Sequence, residues 1–468
     1  MNTRKRGNML EKLEAALGSS KADYTDVRYE DNRRVSISYE NRELRRLSAT
    51  TGRGGHVRCY TKGGKAIHSF SRLEDLEKGI KQCAADSDIA GSHRKRKLSL
   101  APTEVLRGQF MVSPKKDPRD WPLAEKHELL KHYRDLLMDV PKVVVINGSY
   151  TDWYSHRWFV SSEGTAIEYD LLISNIGFQI TAKEGDVVQW TGLSVGGSDD
   201  YGKLLDREED FLARGRIAAE LTTADQLPVG NFPVILDSDE AAVFIHEAFG
   251  HLSEADGLQD NPAFLAKLQI GAKLGSEILN VTDDGTILAA PGGHLVDDEG
   301  VRTRRTELIK NGVLAGRMHS RETAAEFGEP LSGNMRAVGP RFTPIVRMSN
   351  IFIESGTSTF EEMVASIDHG YYLVGAKGGQ TSGDAFTFGA QYGYEIKKGK
   401  LGRLLRDLNM SGELFETLQN ISMIGDDLEF AERGGCGKGG GGPMQLNAKS
   451  GKGAPHIKIN KVTIGGAR

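Results

Sequence analysis

The stretch DSDEAAVFIHEAFGHLSEADG, residues 237–257, decides how the chain is read, because it sets His246, Glu247 and His251 behind an unbroken apolar run. Two imidazoles four residues apart share one helix face and can grip a metal ion, with a glutamate beside the first left free as a base. Here the spacing is five. At about 100° per residue the second ring turns by roughly 140°, so a regular helix would point the two histidines apart. The sequence therefore predicts an irregular turn, a π-bulge or an exit from the helix, at Gly250, where no side chain resists it. Spacing alone does not separate a metal site from two ordinary polar groups. The apolar run at residues 241–245 adds burial, and ionisable groups are seldom buried unless paired or bound to metal. Glu254 and Asp256 follow closely enough to orient the imidazoles, and they would serve equally as a solvated acidic helix end.

Two histidines still want a third protein ligand, with water in the fourth position. Cys436, in AERGGCGKGGGGPMQ, is the first candidate: glycines let the backbone approach, and Lys438 favours the thiolate that binds metal. Glu254 competes as a ligand, and His294, His319 and His369 are weaker alternatives near strand ends or turns. Donors for a developing oxyanion include His369, Tyr371, Tyr372 and backbone amides of glycine segments such as Gly378-Gly379.

A chain of 468 residues with 26% charged side chains and a net charge of -4 reads as ordinary globular protein, more consistent with two domains than one. There is no apolar run long enough to span a bilayer. The start, MNTRKRGNMLEKLEAALG, has no hydrophobic segment of a secretory signal, so a cytoplasmic location is expected. Three scattered cysteines fit a reducing compartment. The basic run Arg94 to Lys97 reads as an exposed loop and argues weakly for nucleic acid.

The expected fold is α+β. Alternation around Val35, Ile37 and Tyr39, with turns at Asn41 and Gly63, predicts an antiparallel meander, followed by a helix over residues 72–85 capped by Ser71. A helix over residues 123–138, a second run of strands and a helix from Arg207 repeat that order, suggesting an internal duplication. The connection at residues 223–232 divides an N-terminal α+β domain, 1–225, from a C-terminal domain, 226–468. That second domain is expected to be an antiparallel sheet or barrel carrying the metal-site helix. Hairpin signals fall at Asp284-Gly285, Asn311-Gly312 and Lys398-Gly399, and helices are expected at 358–368, capped by Ser358, and 412–421. The segments AKGGQTSGD and GKGGGGP are expected to be loops.

HEAFGH with Glu254, the segment RMSNIFIESGTSTFEEMVASIDHGYYLVGAKGGQTSGDAFTFGAQYGYEIKKGKL and the late GGCGKGG together resemble the TldD/PmbA family, also described as modulators of DNA gyrase. The retained histidines make the chain similar to the TldD branch. That resemblance implies one zinc per chain on His246, His251 and Cys436, with Glu247 as catalytic base in a metallopeptidase. It also implies a heterodimer with a PmbA (TldE)-like subunit acting on unfolded peptide substrate, with a homodimer open when the partner is absent. The GKGGGGP run is richer in glycine than the family pattern, where a glutamine tends to follow Gly-Lys-Gly. The competing reading is a regulatory or DNA- or partner-binding protein with a structural metal.

Overall fold

The computed structural model describes residues 7–465 apart from 260, 433 and 440–443, so much of the GKGGGGP run lies outside the described residues. In the first half the order helix, three strands, helix occurs twice. The first copy is α1 (Gly7–Leu17), β1 (Tyr24–Glu40), β2 (Glu43–Thr61), β3 (Gly64–Phe70) and α2 (Leu76–His93). After β4 (Arg107–Phe110) come α3 (Leu123–Met138), β5 (Val143–Ser161), β6 (Ala166–Glu184), β7 (Val187–Ser198) and α4 (Glu208–Leu221). The triplets join through antiparallel β1 and β5 into one sheet, order β3-β2-β1-β5-β6, with β4 and β7 both on the outer edge of β6. Asn41 and Lys62 take positive φ at the two tight turns. The helix expected at 72–85 differs: Ser71 does not cap it, a 3-10 turn fills Leu73–Asp75, and α2 continues to His93 because Ile80, Cys83 and Ser87 keep one face buried.

Period-two alternation gives the sheet two unlike faces. Ile146, Tyr150, Ile176, Phe178 and Ile180 pack against Leu130, Tyr133 and Leu137 of α3 and Phe211 of α4. The other face carries buried charge. Arg28 and Arg157 both reach Asp298, Arg157 at 2.7 Å, and Arg58 reaches Glu299. Buried ions persist only when paired, so these contacts tie the first sheet to the second half of the chain.

In the second half, β8 (Asp225–Gln226) precedes β9 (Gly230–Leu236), which enters a closed five-stranded barrel. Around the ring the strands are β9, Ile457–Gly465, Leu408–Glu413, Ala385–Lys397 and His369–Ser382, the last pairing back to β9. Helix α5 (Ser238–Ala248) starts at the end of β9. Asp237 caps it by accepting from Glu240 N, and also accepts from Gly375 N. Phe244 then packs edge-on against Phe386 and Phe388, with ring centroids 5.3 and 5.8 Å apart, and the other side of α5 meets strands Asn350–Ile353 and Gly451–Ala454 of a six-stranded sheet.

Several local expectations are corrected. Asn311-Gly312 and Lys398-Gly399 make tight hairpins with positive φ, but Asp284-Gly285 does not, since Val281–Asp284 pairs with Arg305–Lys310 across a long irregular segment. There Asp297 accepts from Glu299 N, Val301 N and Met335 N, so side-chain oxygen replaces a strand ladder. Thr359, not Ser358, caps Phe360–Ala365, in a capping box with Glu362. AKGGQTSGD is mostly strand, turning only at Gly383-Asp384, and the helix expected at 412–421 is trimmed to Leu414–Gln419.

Candidate metal centre

Helix α5 ends at Ala248, and residues 250–253 form a 3-10 turn in which Leu252 N and Ser253 N both donate to Phe249 O. This exit reconciles the spacing of five with a shared site, because the His246 and His251 rings come to 5.4 Å between centroids at 82°. Gly250 is required there by packing rather than by φ: a Cβ would lie 2.3 Å from Met348 Sδ and 3.0 Å from Ile351 Cδ1.

The cysteine arrives from far along the chain. Cys436 begins a short strand paired with Gln445–Ala448, and its Sγ lies 3.2 Å from His251 Nε2. One ligand atom each from His246, His251 and Cys436 fall within 4.8 Å of one another. Tetrahedral zinc with imidazole and thiolate donors sets its ligand atoms roughly 3.3–3.8 Å apart, so this donor set fits such an ion with small side-chain rotations. Glu247 is different. Its carboxylate oxygens stand 4.0 Å from His246 Nε2 and 3.8 Å from His251 Nε2, and its side chain is 37% exposed while that of His246 is 2% exposed. The most exposed group of the cluster is thus a carboxylate beside the ligands, ahead of His251 at 25%.

Electrostatics separate the two rings. Burial, helped by Lys452, His251 and Arg347, holds His246 well below the ordinary imidazole range, so it stays neutral, as a metal ligand must. Burial also opposes charge on His251, but Glu254 and Cys436 outweigh it and lift that ring to about 10. A proton there occupies the place a cation would take. Glu254 Oε2 accepts from His251 Nδ1 at 2.9 Å and pairs with Lys438 Nζ at 2.9 Å. Lys438 also reaches Asp256 at 2.6 Å and Val346 O at 3.0 Å. Burial alone would raise the Glu254 carboxyl; Lys438 and His251 prevail and hold it down at about 2.

Glu254 therefore sits behind His251, turned away from the cluster, in the orienting position rather than the ligand position. Lys438, expected to act on the thiol, instead joins Glu254 to Asp256. His319 is tied to Thr323 and Glu329, and His294 to Gly292 O and Gly333 O. His369 and Tyr371 contact each other and Phe232. Tyr372 bonds His456. Gly378 marks a bulge with φ of 110°, and Gly379 lies under Phe388, whose ring a Cβ would strike at 1.9 Å. Among the described residues no hydrogen bond or ring contact joins any of these five expected substrate or oxyanion positions to the histidine and cysteine cluster. The element that sequence reasoning missed is Arg347, fully buried, with no hydrogen-bond partner for Nε, Nη1 or Nη2 among the described residues. No spacing announces it.

The chain matches the models of PmbA/TldA metallopeptidase domain 1 at residues 25–87, the central domain at 116–225 and the C-terminal domain at 229–466. It is 36% identical over 454 residues to a metalloprotease of Synechocystis sp., covering 96% of each chain. It is 34% identical over 333 residues to a zinc metalloprotease TldD homolog of Saccharolobus solfataricus, covering 70% of this chain and 72% of that one. Its fold is like that of TldE from Thermococcus kodakarensis, with a TM-score of 0.75 at 20% identity over 98% of this chain and all of the other. By sequence and by fold, the chain belongs to the PmbA/TldD metallopeptidase family.

Proposed function

We propose that the chain is a zinc-dependent peptidase acting on unfolded or extended peptides, with His246, His251 and Cys436 as metal ligands and Glu247 as general base. The observation that carries this reading is the half-exposed Glu247 carboxylate beside two histidines and one cysteine. Structural zinc sites are closed by four protein ligands, whereas three ligands and an open side suit catalysis. The name of the Saccharolobus relative supports zinc. A bound zinc supplies Lewis acidity at the scissile carbonyl and lowers the pKa of water toward neutrality. Glu247 accepts the proton from the attacking water on its carboxylate oxygen and returns it to the leaving amine. Glu254 fixes the His251 ring through Nδ1, leaving Nε2 for the ion.

The same reading takes a TldE-like chain as the partner subunit, with self-association of this chain as the alternative when that partner is absent. No helix of the described residues is long and apolar enough to cross a membrane. The basic run at residues 94–97 is exposed but partly engaged, Arg96 with Glu326 and Lys97 with Gly91 O, which gives the DNA-binding alternative no support. The test is Glu247→Gln, assayed with an added TldE-like subunit on a reduced, unfolded polypeptide and on the same protein folded. Activity on the unfolded form is expected to fall about 10²–10⁴-fold in the variant with zinc retained. Full activity in the variant, or equal cleavage of both substrate forms, contradicts the proposal.

A further inference from the structure

Two buried arginines, Arg336 and Arg347, share one face of a short strand pair near the metal centre. Strand Met335–Arg336 pairs antiparallel with Ile345–Val346, Arg336 facing Ile345. The pairing runs one step further, with Arg347 N donating to Asn334 O at 2.9 Å and Asn334 Nδ2 to Arg347 O at 3.0 Å. Alternation therefore makes Arg336 and Arg347 diagonal neighbours, about 7–8 Å apart and within reach of each other's long side chains. They are 4% and 1% exposed. Of their donors Arg336 Nη1 is engaged, by Gly292 O at 3.3 Å and His294 Nδ1 at 3.5 Å. Among the described residues, all five N–H of Arg347 and three of Arg336 are without an acceptor.

The carboxylates around the pair are committed elsewhere. Those whose charge reaches Arg336 are Asp283, Asp298 and Glu254. Asp283 accepts from Ser349 N and Asn334 Nδ2, each at 2.8 Å, and from Ser349 Oγ. Asp298 serves Arg28 and Arg157, and Glu254 serves His251 and Lys438. Asp283 still offsets Arg336 at a distance, so Arg347 is the charge left over. That charge is felt at His246 and at Glu254, which sets the pair close to the metal centre. Orphaned acceptors in the same region, Asn334 Oδ1 and Glu254 Oε1, are too few for so many N–H groups. A buried ion without a counter-ion is strongly destabilising, and neutral water cannot supply the missing charge.

The geometry points to an anion site in which Arg336 and Arg347 together bind one small monovalent anion of the halide class, with chloride as the ordinary occupant. The site goes beyond the peptidase reading and needs no turnover to be detected. A single negative charge suffices, because Arg347 alone lacks compensation. Burial of both side chains excludes a peptide carboxylate, which would bring its chain with it. A bare halide carries no hydrogens to place and accepts N–H groups from several directions at once. A cavity of about 270 Å³, lined in part by Val338 and Lys449, marks the side from which such an ion enters. Lys449 Nζ, itself buried, donates to Gly293 O at 2.9 Å, beside the Gly292 carbonyl that Arg336 uses, and puts a positive charge on that side.

The experiment uses the full chain at constant ionic strength, exchanges gluconate for chloride and reads the thermal midpoint. The midpoint is expected to rise by about 1–3 °C for each tenfold increase in chloride once the site begins to fill, with bromide matching chloride. Arg347→Met keeps the length and removes the charge. It is expected to lose the chloride dependence and to melt no lower than the native chain in gluconate alone. Where that variant does not fold, Arg347→Lys replaces it and is expected to need about tenfold more chloride or more for the same rise. Crystals grown in sodium bromide are expected to show an anomalous peak between the two guanidinium groups. A native midpoint that ignores chloride, an equal response in the Arg347 variant, or bromide bound only elsewhere overturns the site. Phosphate acting at far lower concentration than chloride, in the native chain and not in the variant, overturns the halide assignment in favour of an oxyanion.

Discussion

Glu254→Gln is a sharp perturbation of the centre because it keeps shape and removes one charge. Glu254 is fully buried, its Oε2 is 2.9 Å from both His251 Nδ1 and Lys438 Nζ, and its charge is what outweighs burial at His251. A glutamine still accepts the Nδ1 hydrogen bond, so the ring keeps its direction. It no longer raises the basicity of Nε2, and Lys438 is left with Asp256 alone. Carboxylates behind ligating histidines typically contribute 10–100-fold in metal affinity, about 1.4–2.7 kcal/mol. Zinc affinity, measured by competition with a chromophoric chelator at fixed pH, is expected to fall by that factor. An affinity within twofold of the native value would refute the argument that Glu254 acts electrostatically through His251.

Three other outcomes follow from the same geometry. Since the free chain holds a proton on His251 up to about pH 10 and zinc must displace it, zinc affinity is expected to rise about tenfold per pH unit between pH 6 and 9; a flat profile in the chelator competition contradicts this. Gly250→Ala forces a methyl against Met348 and Ile351 and should cost about 1–3 kcal/mol, with weakened zinc binding, whereas a fully stable, fully loaded variant would contradict the packing account. Asp298→Asn leaves Arg28 and Arg157 short of their shared counter-ion and should cost roughly 3–5 kcal/mol, read from urea unfolding. Burial works to raise the Asp298 carboxyl, but Arg157 and Arg28 hold it below the usual range. In the native chain its contribution is therefore present above about pH 4 and is lost only as pH falls below that, and loss near pH 6 would contradict the pairing.

What the sequence made legible was local. Five-residue spacing between His246 and His251, with glycine before the second, was enough to expect a broken helix there, and the break lies at 248–253. Alternation and paired turn residues exposed the repeated three-strand units. The barrel was open as one of two forms, because period-two patterns report that a strand has a buried face and not which strand closes the ring. Glycines misled in both directions: Gly379 serves an aromatic ring packed on a strand, and Gly250 serves Met348, two reasons that depend on distant residues. The long-range pairs, Arg157 with Asp298 between the halves and Lys438 with Glu254 within the second, span 141 and 184 positions and leave no periodic trace. Caps slipped by one residue or one turn because Ser71 and Ser358 each stand beside a competing start.

Metal content tests the proposed centre most directly. Elemental analysis of protein purified without chelator should find about one zinc per native chain and a sharp fall in Cys436→Ser, if Cys436 is the third ligand beside His246 and His251 as proposed. Full zinc retention in the variant, or loading that does not change when His246 and His251 are also replaced, would contradict the centre.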